Sequence, residues 1–423
     1  MHQQDEAVQS LVDNLFRHES GKLIAVLTKI FGPKNLELAE DVVQDTLLKA
    51  LDYWKFHGAP ENPSAWLFTV ARNKALDVVR REKHKKEFAD ELNALLKSEY
   101  SAGITLDIHV TENEIEDEQL RMMFVCCHPA IPEDGQVALI LKTLCGFSVA
   151  EIAKAFLTSE ETITKRLYRA REQFRKENIR FEIPQSLDLP ARLESVLTAI
   201  YLLFNEGYNS SSHDLLIRED LVEESLRLVN FLISHKITRQ PNALALTALL
   251  CFHAARLHSR VDEQKRLLTL RHQDRTQWNK DLIEQGKLFL NRACEGDVVS
   301  TYHIEAAIVY EHCTAPDFGS TNWIKILELY DILFQLKPNA MVALNRTVII
   351  AELHGPMAGL TALEKIENLE VLKNYYLLPA VRGEFHFNAG NKKEAIKNWE
   401  LAVTLTSSQA EKELLREKIK RAN

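Results

Sequence analysis

A chain of 423 residues with 46% hydrophobic and 26% charged side chains is long enough for several buried cores and too apolar to be disordered throughout. Only 14 Gly and 12 Pro argue against a fold of many short strands and for an all-α chain of long helices. The net charge of −8 gives no hint of a nucleic-acid partner, so the local placement of basic residues decides that question.

Apolar positions at helical spacing (Val8, Leu11, Leu15, Phe16, Leu23, Leu27, Ile30) predict a first helix, which Gly32-Pro33 breaks. Leu36, Ala39, Val42, Val43, Leu47 and Ala50 predict a second amphipathic helix. Glu37, Glu40, Asp41 and Asp45 project carboxylates from its neighbouring turns, a face that can dock a basic partner. After the loop His57–Pro63, a third helix runs from Pro63 or Ser64 through Trp66, Leu67, Val70, Ala71 and Ala75 into the basic run Arg80–Lys86. These elements make one helical module over residues 5–86. Trp66 shares a stripe with Leu67 and Val70 and is expected in the core.

Residues 87–117 are acidic with low apolar periodicity and read as a linker, with a helical turn near Leu92–Leu96. Residues 118–182 carry four short apolar-periodic segments. In the last two, Val149, Ile152, Ala153 and Phe156 are followed by Ile163, Leu167, Ala170 and Phe174. Thr158 and Glu161 fit a capping box at the start of the final helix. Two short helices joined by a tight turn, the second rich in basic residues, form the helix-turn-helix pattern.

Residues 185–423 read as a helical array. Gly355 and Gly390, 35 residues apart, Leu336-Lys337-Pro338-Asn339 and the small residues Ala343 and Ala395 suggest tetratricopeptide-like hairpins towards the end. Gln273-Asp274-Arg275-Trp278 is expected to form either a ligand pocket or a clamp between helices, and a buried Asp–Arg pair favours the clamp.

The six cysteines show no regular framework and read as reduced, buried thiols. Adjacent Cys126-Cys127 are poorly placed for one tetrahedral ion, so no metal is expected. No nucleophile and base, no Gly-rich phosphate loop and no cofactor motif emerges, which leaves catalysis without support. No apolar run approaches the roughly 20 residues of a membrane span, so a cytoplasmic protein without a membrane partner is expected.

The segment Ala39–Ala50, together with Pro63-Ser64-Ala65-Trp66-Leu67-Phe68-Thr69-Val70-Ala71-Arg72-Asn73-Lys74-Ala75-Leu76-Asp77, resembles region 2 of sigma-70-family factors of the extracytoplasmic-function type. Asp134–Leu144 and Phe147–Ala153 with the helix-turn-helix resemble region 4. That resemblance implies that Glu37, Glu40, Asp41 and Asp45 bind core RNA polymerase. It implies that Asn62, Arg72, Asn73, Lys74, Asp77, Arg80 and Arg81 serve the −10 element of promoter DNA. Thr162, Thr164, Lys165, Arg166 and Arg169 would read the −35 element. Phosphate neutralisation and base-edge contacts suit those residue types.

The motifs Phe204-Asn205-Glu206-Gly207-Tyr208, Arg271–Trp278, Asn322-Trp323 and Leu344-Asn345-Arg346 resemble a subgroup of such factors with a large C-terminal helical extension, which offers a regulatory protein or a ligand a place to bind. Two other readings stay open at this point: a DNA-binding regulator with a helical sensor domain, and an enzyme or scaffold on the C-terminal array with a vestigial first half.

Overall fold

The computed structural model describes residues 2–82, 112–156, 158–184, 188–210, 216–264 and 266–423, with the side chains of 2–14, 79–82 and 112–115 excepted. Among them the chain is helical, with one isolated bridge between Val261 and Leu267. It divides into two compact units, residues 1–203 and 204–423. No helix among the described residues is long and apolar enough to cross a membrane.

The first unit opens with α1 (His2–Phe31), α2 (Leu36–His57) and α3 (Pro63–Glu82). Gly32 and Gly58 follow α1 and α2 at φ 81° and 76°, a backbone state that excludes further helix and costs glycine little. Asn62 caps α3: its Oδ1 accepts from the Ala65 amide at 3.0 Å, with Pro63 in the first helical position. Leu23, Leu27, Ala39, Val43, Leu67 and Ala71 close the core between the three helices. Each such Leu contributes roughly 1.5–3 kcal/mol of burial.

The acidic stretch before residue 112, including the turn expected near Leu92–Leu96, lies outside the described residues. α4 (Glu112–Cys126) begins inside residues 87–117, which were expected to be linker, and α5 (Glu133–Thr143), α6 (Val149–Ala155) and α7 (Glu160–Lys176) follow. Phe124, Leu139, Phe147, Ile152, Ile163, Leu167 and Phe174 fill the core of this second module. The capping expectation is half right. The box belongs to α6, where Ser148 and Glu151 exchange hydrogen bonds, whereas α7 is capped by Ser159 rather than Thr158. Ser159 holds extended angles and accepts from the Thr162 amide, and the third residue beyond it, Thr162, has no carboxylate to complete a box.

α8 (Leu189–Tyr208) leads from the first unit into the second, which continues with α9 (Glu219–Ser234), α10 (Pro241–Ala255), α11 (Lys280–Ala293), α12 (Thr301–Thr314), α13 (Trp323–Leu336), α14 (Ala340–His354), α15 (Pro356–Glu364), α16 (Leu377–Asn388), α17 (Lys392–Leu405) and α18 (Gln409–Ala422). From Ala243 to Ala255 all but one residue of α10 is buried, so this helix is apolar all round and sits inside its neighbours α9, α11 and α12. From α13 onwards each helix packs on the next in sequence, around cores centred on Ile326 and Leu333, on Leu344 and Phe385, and on Trp399 and Leu415.

Four cysteines are buried thiols, but Cys294 is exposed and Cys313 half-buried, so the expectation of six buried thiols is too broad. The anticipated Asp274–Arg275 pair does not form. Asp274 is exposed and accepts from the amide and hydroxyl of Thr276, while Arg275 reaches the carbonyls of His312 and Ala315, each at 2.7 Å. A clamp exists, made of one arginine on a helix end.

Candidate nucleic-acid interface

α2 sorts its carboxylates by its packing. Val42, Val43, Thr46 and Ala50 turn inward, which leaves Asp41 and Asp45 exposed on the opposite face beside Leu48, itself 60% exposed. Charge-based reading of the sequence passed over this exposed leucine beside two aspartates. Glu37 and Glu40 stand apart from that pair. Glu40 accepts two hydrogen bonds from Nη2 of Arg171 at 3.1 Å and one from the Thr143 hydroxyl at 3.2 Å, and Glu37 accepts from Arg175 at 2.6 Å. Both arginines belong to α7.

The two modules therefore meet within the first unit. Lys29 pairs with Glu118 at 2.9 Å and Arg17 with Glu151 at 3.5 Å. The backbone of α1 approaches the α5–α6 turn so closely at Gly21 that an added Cβ would lie 2.2 Å from the Leu144 carbonyl oxygen.

On α3, Asn73 and Asp77 are exposed and Arg72 is half-buried. Lys74 lies 3.3 Å from Asp45, which joins one residue expected on DNA to one expected on a protein partner. The side chains of Arg80 and Arg81 lie outside those described. Asn62 is exposed, with its oxygen engaged in capping. Trp66 is half-buried rather than in the core, because one of its neighbours is itself exposed: it stacks on the exposed Tyr53 at 5.7 Å and tilts against the buried Trp54 at 5.5 Å. Tyr53 in turn stacks on His57 at 4.2 Å. The rings of Tyr53, Phe56 and His57 are exposed at the end of α2; Phe56 and His57 open the loop expected to receive a base, and Tyr53 was not anticipated there.

On α7 the apolar residues Ile163, Leu167, Ala170 and Phe174 are buried, and Thr164, Lys165 and Arg169 are exposed along the outer edge, with Thr162 half-buried. Tyr168 joins them at 63% exposure, another residue missed. Lys165 is held lightly, by an exposed pair with Glu161. Arg166 differs: its Nε lies 2.8 Å from Asp134 of α5 and its guanidinium 5.5 Å from the Phe156 ring, so it ties the second helix of the motif to its neighbours.

Three family models match the chain: Sigma-70 region 2 over residues 15–85, Sigma-70 region 4 over residues 121–174, and a family of unknown function, DUF6596, over residues 192–294. The Uncharacterized protein R00370 of Rhizobium meliloti is 34% identical over 385 residues, covering 90% of this chain and 89% of its own. The ECF RNA polymerase sigma factor EcfG of Rhodopseudomonas palustris is 33% identical over 140 residues, 33% of this chain and 70% of its own. The ECF RNA polymerase sigma-E factor of Escherichia coli is 29% identical over 133 residues, 31% of this chain and 69% of its own. No solved structure matches significantly. With a three-helix module, a helix-turn-helix and these matches in register, the chain belongs to the extracytoplasmic-function sigma factors of the sigma-70 family and carries a C-terminal helical extension.

Proposed function

We propose that this sigma factor binds core RNA polymerase in the cytoplasm, directs it to a specific set of promoters and helps to open them. The observation that carries the reading is the outer edge of α7, where Thr164, Lys165 and Arg169 stand exposed on the capped second helix of a helix-turn-helix. A lysine or arginine there can engage guanine O6 and N7 in the major groove. That edge serves the −35 element, with Thr162 beside it and Arg166 as a support.

The −10 element falls to α3 and the loop before it. Arg72 neutralises phosphate, with Arg80 and Arg81 further along the helix, and Asn62, Asn73 and Asp77 meet bases or orient their neighbours. Tyr53 and His57 supply ring faces on which an unstacked base can lie. Lys74 is shared with Asp45 and acts there as a switchable phosphate contact.

The polymerase meets α2. Asp41 and Asp45 flank Leu48 on its free face, and Glu37 and Glu40 complete the acidic surface once Arg171 and Arg175 release them. Residues 5–86 and 118–182 thus act as two modules joined by the linker 87–117, and residues 185–423 form an extension that regulates them or touches polymerase. A photocrosslinker at Leu48 tests the docking surface. Crosslinks to the largest subunit of core polymerase are expected. Crosslinks that never reach polymerase overturn the assignment of α2.

A further inference from the structure

Three helices end at one junction in the second unit, with an arginine at each end. α8 ends at Tyr208, whose carbonyl accepts from Arg260, and the Arg260 guanidinium lies 3.8 Å from the Tyr208 ring centroid. α12 ends at Thr314, where Arg275 takes the carbonyls of His312 and Ala315. α10 ends at Ala255, and Arg256 is its capping residue. Cross-links within the junction hold these ends together: the Asn279 amide donates to the Ala255 carbonyl at 2.8 Å, the ring of Tyr208 meets His253 edge-on at 5.0 Å, and Arg256 lies 5.8 Å from that same Tyr208 ring.

A helix C-terminus carries about half a negative charge, so three of them offset roughly 1.5 of the three guanidinium charges and leave an excess of roughly 1.5. Among the described residues none of the three arginines forms an ion pair; Glu411 and Asp317 act on Arg260 and Arg275 only at longer range, and Glu411 already accepts from Tyr376 and Thr406. The excess registers on the neighbouring imidazoles. Burial, reinforced by the charges of Arg256 and Arg260, holds His253 far below its usual range, and burial with Arg256 and Arg275 holds His312 down to about 3.

The arginines differ in how fully they are engaged. Arg275 gives hydrogen bonds to two carbonyls and to the Thr321 hydroxyl, as a purely structural cap would. Arg256 donates from Nη2 to His253 at 3.2 Å, and its buried Nε has no partner among the described residues. Two further buried nitrogens share that condition, Nε1 of Trp278, which is 3% exposed and lies under Arg275 at 5.0 Å, and Nδ1 of His312; among buried acceptors, Oε1 of Gln273 does too. A buried donor left unpaired is destabilising, and such a group in a folded protein calls for an acceptor from outside the chain, a water or an anion. The junction also reaches solvent, since Tyr208 and Arg256 are only half-buried.

We propose that this junction is a binding site for the oxyanion of a small molecule, a carboxylate or a phosphate, with Arg256 as its principal charge and Trp278 as a hydrogen-bond donor. The site is independent of the promoter-binding reading, because every residue in it belongs to the second unit. An oxyanion accepts from Nε of Arg256 and Nε1 of Trp278 and neutralises the excess charge, and a hydroxyl on the same ligand can donate to Gln273.

The full chain labelled with nitrogen-15 tests this directly. It has five tryptophans, so its indole N–H signals are few, and Trp278→Phe assigns the one of interest. Inorganic phosphate and succinate are titrated separately at constant ionic strength. A saturable shift of the Trp278 signal is expected with at least one of them, and which one saturates identifies the oxyanion. Arg256→Met is expected to weaken that binding at least tenfold, and Arg256→Lys at least threefold should the first variant fold poorly. Arg266→Met, at an exposed site in the same unit, retains it. Shifts that stay linear with both anions, or affinity unchanged in the folded Arg256 variants, overturn the proposal.

Discussion

Arg171 of α7 donates to both carboxylate oxygens of Glu40 of α2 at 3.1 Å, which locks the second helix of the helix-turn-helix onto the acidic helix of the first module. Both side chains are largely buried, so loss of one strands the other in a poorly solvated place. Glu40→Gln and Arg171→Met are each expected to lower stability by about 1–3 kcal/mol, and the double variant by much less than the sum. Urea unfolding of the four proteins of this cycle is the measurement. Additive losses would show that the pair is not coupled.

Gly21→Ala reverses a usual sign. Within a helix this change ordinarily stabilises by about 0.5–1 kcal/mol, yet here the new methyl would meet the Leu144 carbonyl oxygen. The modules must move apart or strain, at a cost of roughly 1–3 kcal/mol. Amide exchange should rise at the α5–α6 turn in this variant, and protection equal to the parent would contradict the close approach.

Lys165, Arg169 and Arg166 should separate by phenotype. Substitution of Arg169 or Lys165 by Ala is expected to cost about 1–3 kcal/mol in promoter binding while leaving thermal stability unchanged. Arg166→Ala should lower the melting temperature as well, because it removes the tie to Asp134. Binding to a mapped promoter fragment and thermal unfolding, compared side by side, check this division.

Glu19 predicts an acid sensitivity. Burial pushes its pKa upward, but hydrogen bonds with His18 and Lys22 and the Lys22 charge outweigh burial and lower it from 4.5 to about 2. Its contribution is thus present above pH 4.5 and lost as pH falls towards 2, on the order of 1–3 kcal/mol. Glu19→Gln should flatten the fall in stability across that window in urea titrations. A fall as steep as the parent's would assign the sensitivity elsewhere.

Periodicity and punctuation in the sequence disclosed the helices of the first unit well, because Gly32, Gly58 and Pro63 impose backbone states that admit few alternatives. Trp66 was misplaced because a helical stripe says which side faces inward and not how fully the neighbouring helix covers a residue on it. The pairing of Glu40 with Arg171, 131 residues apart, was illegible for a different reason: an acidic face reads the same whether it awaits a partner or already holds one from its own chain. The Asp274–Arg275 pair expected to hold a clamp does not form, since a neighbouring aspartate is a more visible acceptor in sequence than the distant helix end that Arg275 reaches.

The central claim is tested most directly by transcription in vitro from genomic DNA with purified core polymerase, with and without this chain, mapping the 5′ ends of the transcripts. The account predicts discrete new start sites that share a −35 and −10 sequence pair and vanish with Arg169→Ala. No starts above those of core polymerase alone, together with no association between the chain and core polymerase, would contradict it.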